Sequence, residues 1–144
     1  MSNQGAAPLT GYLILLIDDA PENLEVLQEL LELNGAEVII AQNGLKGLEQ
    51  IERRPDIIIT DLAMPVMTGI ELLDALKGDS ETAHIPVIVL SAHAMESHKA
   101  IALEAGCHSF LVKPITMREL LDEILRMIED VKIGSQLDLS SWKR

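Results

Sequence analysis

Two hydrophobic rhythms alternate along this chain. Short, nearly continuous apolar runs occupy residues 12–17, 38–41, 57–61, 85–91 and 109–112. Each is bounded by turn residues and is too short for a helix, so each predicts a buried strand. Between them the apolar positions recur at helical spacing. Pro21 opens a pattern in which Leu24, Leu27 and Leu31, with Val26, Leu30 and Leu33, make a broad apolar face, and Asn34-Gly35 ends it. Asn43 caps a second pattern carrying Leu45, Leu48 and Ile51, which Pro55 ends. Thr68 and Glu71 have capping-box spacing ahead of Ile70, Leu73 and Leu76, and Gly78-Asp79-Ser80 breaks that helix. An alanine-rich pattern over 95–105 stops at Gly106. Thr116 and Glu119 form a second capping box before Leu120, Leu121, Ile124, Leu125 and Ile128, all expected to face the core.

Strand then helix, repeated along the chain, predicts an α/β fold with a parallel sheet and helices on both faces. Residues 1–10 are polar and small and read as a flexible lead-in to a single domain over 11–132. A polar, frayed tail is expected over 133–144. The proline at position 86 is tolerable only near the start of its strand.

Composition narrows the function. The formal charge is −12, which disfavours nucleic acid and anionic membrane surfaces as partners. Aromatic residues make up 2% of the chain, so the core is aliphatic. Cys107 is the single cysteine, which excludes an intramolecular disulfide and a thiolate zinc site. It reads as a small buried residue. No apolar run is long enough to span a bilayer, and the first residues lack the pattern of a signal peptide, so a cytoplasmic location is expected.

Candidate chemistry gathers at one rim. In a parallel sheet all strand carboxyl ends face one edge, where such folds bind ligands. The first strand ends in Asp18-Asp19, the third in Asp61, the fourth in Ser91 and the fifth in Lys113. An aspartate at a strand end is more often a helix cap than a reactive group. Here, though, three carboxylates converge with a lysine and a hydroxyl. Clustered carboxylates repel unless a cation lies between them, and oxygen-only donors suit a hard, partly hydrated ion, so Mg2+ is the natural choice. A carboxylate can accept a phosphoryl group, with Lys113 and Ser91 available to its oxygens. The bland role for Lys113 is a salt bridge to the acid pair, which does not exclude the other.

These residues carry a resemblance. Ile-Asp-Asp-Ala-Pro-Glu-Asn at 17–23, Asp-Leu-Ala-Met-Pro-Val-Met-Thr-Gly at 61–69, Leu-Ser-Ala-His-Ala at 90–94 and Lys-Pro at 113–114 resemble the receiver domain of two-component response regulators, such as the bacterial chemotaxis regulator. The resemblance covers residues 11–132. It implies a flavodoxin-like (βα)5 doubly wound sheet of five parallel strands. Asp61 would be the residue phosphorylated by a histidine kinase or a histidine phosphotransfer protein. Asp18, Asp19 and Asp61 would be side-chain ligands of Mg2+, and Ala63 would add its main-chain carbonyl. Ser91 matches the hydroxyl switch residue, Lys113 the phosphate-binding lysine, and the bond before Pro114 is expected to be cis. Ser91 stands where threonine is commoner, and Phe110 where many relatives carry tyrosine. Phe110 reads equally as switch residue and as plain core. His93 flanks the site and reads as a surface residue; His84, His98 and His108 lack metal-ligand spacing.

A magnesium-dependent phosphohydrolase with an aspartate nucleophile is the main alternative. Such enzymes end their first strand in Asp-x-Asp, whereas this one ends in adjacent aspartates. A flavin or nucleotide binder would want a glycine- or hydroxyl-rich phosphate loop there instead. Since no output domain fits the tail, signalling would pass through a downstream protein or through homodimerisation.

Overall fold

The computed structural model describes residues 7–92 and 95–142, with side chains through residue 131. It divides into two units, Met1–Pro114 and Ile115–Arg144. The first holds β1 (Leu13–Ile17), α1 (Pro21–Leu33), β2 (Glu37–Ala41), α2 (Gly44–Glu49), β3 (Ile57–Asp61), α3 (Gly69–Lys77), β4 (Val87–Ser91), α4 (Glu96–Glu104) and β5 (Ser109–Val112). A single 3-10 turn, Ile51–Arg53, follows α2. The second unit holds α5 (Met117–Trp142).

All five strands are parallel, in the order β2-β1-β3-β4-β5. The expected fold is the one found. Strands buried on both faces need apolar side chains at every position, which is why they read as runs rather than alternations. One face carries Leu15, Ile17, Ile58, Val87 and Val89, packed with Leu72, Leu73 and Leu76 of α3 and Ala102 of α4. The opposite face carries Ile14, Leu16, Ile57, Ile59, Ile88 and Leu90, all buried. β4 begins at Val87 rather than at residue 85, because Pro86 has no N–H to give; its carbonyl still accepts from the Ile58 amide at 3.0 Å.

Several expectations need correction. Residues 7–10 are not a loose lead-in. Leu9 is fully buried, and its amide donates to the Asn34 carbonyl at 2.8 Å. Val26 and Leu33 of α1 are exposed, so its buried face is the narrower stripe of Leu24 and Leu31. In α3 the buried set is Leu72, Leu73 and Leu76, with Ile70 half-buried. In α5, Leu120, Ile124 and Met127 are buried whereas Leu125 is exposed. That helix runs to Trp142, through most of the stretch expected to be a polar tail. No proline follows Pro114, and a lone Gly134 costs a helix only about 1 kcal/mol.

Candidate metal and phosphoryl site

β1 and β3 are neighbours at the centre of the sheet, and their carboxyl ends deliver the acidic residues. Beyond Ile17, Asp18 is buried and Asp19 is exposed; β3 ends at the half-buried Asp61. One oxygen from each of Asp18, Asp19 and Asp61 lies within 4.8 Å of the others. Among the described residues, no histidine or cysteine joins this cluster.

The carboxylates are held by named donors. Asp18 Oδ1 accepts from the Ala20 amide at 2.9 Å, turning the chain from β1 into α1. Asp18 Oδ2 accepts from Lys113 Nζ at 3.3 Å and from Asn23 Nδ2 at 3.4 Å. Asp61 Oδ1 accepts from the Leu62 amide at 2.8 Å, and its Oδ2 lies 3.8 Å from Lys113 Nζ. Lys113 therefore sits between Asp18 and Asp61: of the acid pair expected to hold it only Asp18 does so, and its second partner is Asp61 rather than Asp19.

One ammonium does not balance three carboxylates. Burial pushes the Asp61 carboxyl above its ordinary value of 3.8, and the charges of Asp18 and Asp19 push the same way. Lys113 and the Leu62 amide pull it down without cancelling the rise. Such a site asks for another positive charge, and its donors are hard oxygens, so a divalent ion of the magnesium type fits.

Ser91 ends β4 and is fully buried. Its neighbour Leu90 pairs with Asp61 across the sheet, so Ser91 lies one step further towards the same rim. The Ser91 carbonyl accepts from the Lys113 amide at 2.7 Å, tying the ends of β4 and β5 together. The Lys113–Pro114 bond is cis, as expected. Phe110 pairs with Val89 and packs, half-buried, against the core layer. Ala63 is exposed in the loop after β3. His93 lies outside the described residues. His84 and His108 are exposed and apart from the carboxylates. Cys107 is buried, and that burial pushes its thiol up to about 11 despite Lys77 nearby, which suits an inert core residue.

Three features of the site escaped sequence reasoning. Asn23 reaches back from the first turn of α1 to Asp18; its spacing from the acid pair is a signal only once the helix start is known. Thr60 donates its hydroxyl to the Asp61 carbonyl at 2.9 Å, although in sequence it reads as one more β-branched strand residue. Val66 has φ +73° and sits under a Met67 amide to Pro65 carbonyl bond of 2.8 Å, a strained γ-turn in the loop after Asp61.

The chain matches the response regulator receiver domain family over residues 14–125. It is 33% identical over 118 residues to the polar-differentiation response regulator DivK of Brucella anthropi, covering 81% of this chain and 96% of that one. Among solved structures it is similar to a CheY-like receiver domain protein from Methanospirillum hungatei JF-1, with a TM-score of 0.79 at 28% identity, over 88% of this chain and 98% of the other. It is also similar to the receiver domain of the sensor histidine kinase PA1611 from Pseudomonas aeruginosa PAO1, which has a magnesium ion coordinated in its active-site cleft. There the TM-score is 0.74 at 30% identity, over 82% of this chain and 97% of that one. With this fold, this rim and these relatives, the chain belongs to the response regulator receiver domain family.

Proposed function

We propose that Asp61 is the residue that takes the phosphoryl group, from a histidine kinase or a histidine phosphotransfer protein, in a Mg2+-dependent step. Membership of the family makes the chain a phosphoacceptor signalling domain rather than a classical enzyme, with a histidine kinase as its kind of partner. The observation that carries the assignment is the position of Asp61. It is the member of the acidic triad that both ends a central strand and faces Lys113.

The chemistry follows from the donors. An Asp61 carboxylate oxygen attacks phosphorus, the bond from phosphorus to the donor imidazole nitrogen breaks, and the departing imidazole takes up a proton. Asp18, Asp19 and Asp61, with the Ala63 carbonyl, would hold the metal, which supplies positive charge to the carboxylates and phosphoryl oxygens. Lys113 has three N–H donors and can exchange part of its Asp18 contact for a phosphoryl oxygen. The Ser91 hydroxyl, at the end of the adjacent strand, is the candidate to follow the new group, with Phe110 repacking as it moves. The surface so changed would be read by a downstream protein or a second copy of the chain. A cytoplasmic location suits the unpaired Cys107.

The test uses acetyl phosphate and Mg2+, with intact mass as readout. Wild type gains one phosphoryl adduct, which chelator abolishes and Asp61→Asn removes. An undiminished adduct in Asp61→Asn sinks the assignment. Sustained turnover of phosphomonoesters would instead favour the phosphohydrolase.

A further inference from the structure

Thr60 interrupts an otherwise apolar layer. It is fully buried on β3, on the same face as Ile58, and its cross-strand partners are Ile17 and Val89, both members of that layer. For packing alone valine is the better residue there. It has the same shape, is an equally good strand former, and brings no hydroxyl to desolvate.

What the hydroxyl adds is one bond, to the Asp61 carbonyl oxygen at 2.9 Å. That carbonyl belongs to the peptide group whose other end is the Leu62 amide, and the Leu62 amide donates to Asp61 Oδ1 at 2.8 Å. The two bonds are in series: Thr60 hydroxyl to peptide oxygen, then peptide N–H to carboxylate. Each polarises the next, and together they fix the peptide plane that aims the carboxylate. The first turn of α3 closes the other side. A β-carbon on residue 69 would come within 2.6 Å of the same Asp61 oxygen, and the Gly69 amide donates to the Leu62 carbonyl at 2.7 Å. The peptide is gripped between Thr60 and Gly69, and Gly69 is glycine because nothing larger fits.

We propose that Thr60 is a positioning residue for Asp61, acting through the Asp61–Leu62 peptide to hold the carboxylate in its reactive orientation. This rests on Asp61 being the acceptor. The experiment compares wild type, Thr60→Val, Thr60→Ser and Asp61→Asn in the full chain. The readouts are the rate of phosphorylation by acetyl phosphate, Mg2+ affinity by calorimetry, and the thermal midpoint. Thr60→Val should leave the midpoint at or slightly below that of wild type, since better apolar packing offsets most of the lost bond. It should nonetheless slow phosphorylation roughly tenfold and weaken Mg2+ binding, because misorientation is costly where geometry sets the rate. Thr60→Ser, which keeps the hydroxyl and loses a methyl group, should recover most of the rate even with a lower midpoint. A wild-type rate in Thr60→Val, or a rate in both variants that follows the midpoint rather than the hydroxyl, overturns the proposal. Persistent labelling of Asp61→Asn would instead overturn the acceptor reading beneath it.

Discussion

Asp61 has a raised pKa, and the sign of that shift has consequences for stability. The folded state binds the Asp61 proton more tightly than the unfolded chain does, so ionisation of this group opposes folding. Its stabilising contribution is complete below the unfolded value near 3.8 and is lost as pH rises through the raised folded value. At neutral pH without metal, Asp61→Asn should therefore raise the thermal midpoint, and the gain should narrow as the pH is lowered; melts across that range check it. Val66 is a second residue held against its preference. It is 73% exposed, so burial does not offset a positive φ that costs roughly 1–3 kcal/mol in a β-branched residue. Val66→Gly releases the strain but adds unfolded-state entropy, leaving a net gain of about 1 kcal/mol in urea unfolding. At this scale the sequence was informative about which groups meet and silent about how they are aimed. Residue types at strand ends pointed to Asp18, Asp19 and Asp61, which the structure brings within 4.8 Å of one another, and to Lys113, which pairs with two of them. The Thr60 bond and the Val66 turn depend on backbone torsions, which residue types do not encode locally.

Among the elements, those with chemical punctuation were read correctly. Thr68 and Glu71 form the expected reciprocal box, with bonds of 3.2 Å and 2.9 Å. Thr116 and Glu119 repeat it at the start of α5, at 3.1 Å and 2.9 Å. Thr68→Ala should cost about 1 kcal/mol in chemical unfolding, since it frees a first-turn amide. The apolar face of α1 was read too broadly, because leucine and valine occupy more of its circumference than the sheet can cover. Leu9 was missed for the opposite reason, a lone apolar residue in a polar segment having no period. A further clamp was invisible in sequence. Lys77, in the last turn of α3, donates to the Ala83 carbonyl at 2.9 Å and the Ile85 carbonyl at 3.4 Å. Its stem lies where a β-carbon on Gly106, at φ +111°, would meet it at 2.9 Å. Lys77→Met keeps most of the stem but leaves those carbonyls without their donor. It should lower stability by about 1–2 kcal/mol, measured by urea unfolding.

For the molecule as a whole, strand order explains why residues far apart in sequence share one rim. The order β2-β1-β3-β4-β5 reverses direction at β1 and β3, and the crevice at such a point is where parallel sheets hold ligands. Asp18, Asp19 and Asp61 lie there, and the neighbouring strand ends bring Ser91 and Lys113 alongside. Three carboxylates facing one lysine repel one another at this rim, and a bound cation would relieve that repulsion. Mg2+ should therefore raise the thermal midpoint of wild type in a concentration-dependent way, and much less so that of Asp61→Asn. The central claim, that the phosphoryl group rests on Asp61, is tested most directly by locating it. After treatment with acetyl phosphate and Mg2+, borohydride reduction converts an aspartyl phosphate to homoserine, and peptide mass spectrometry then finds the converted position. Conversion at residue 61 alone is the predicted result. Conversion at Asp18 or Asp19, or none in a protein that carries the adduct, would contradict it.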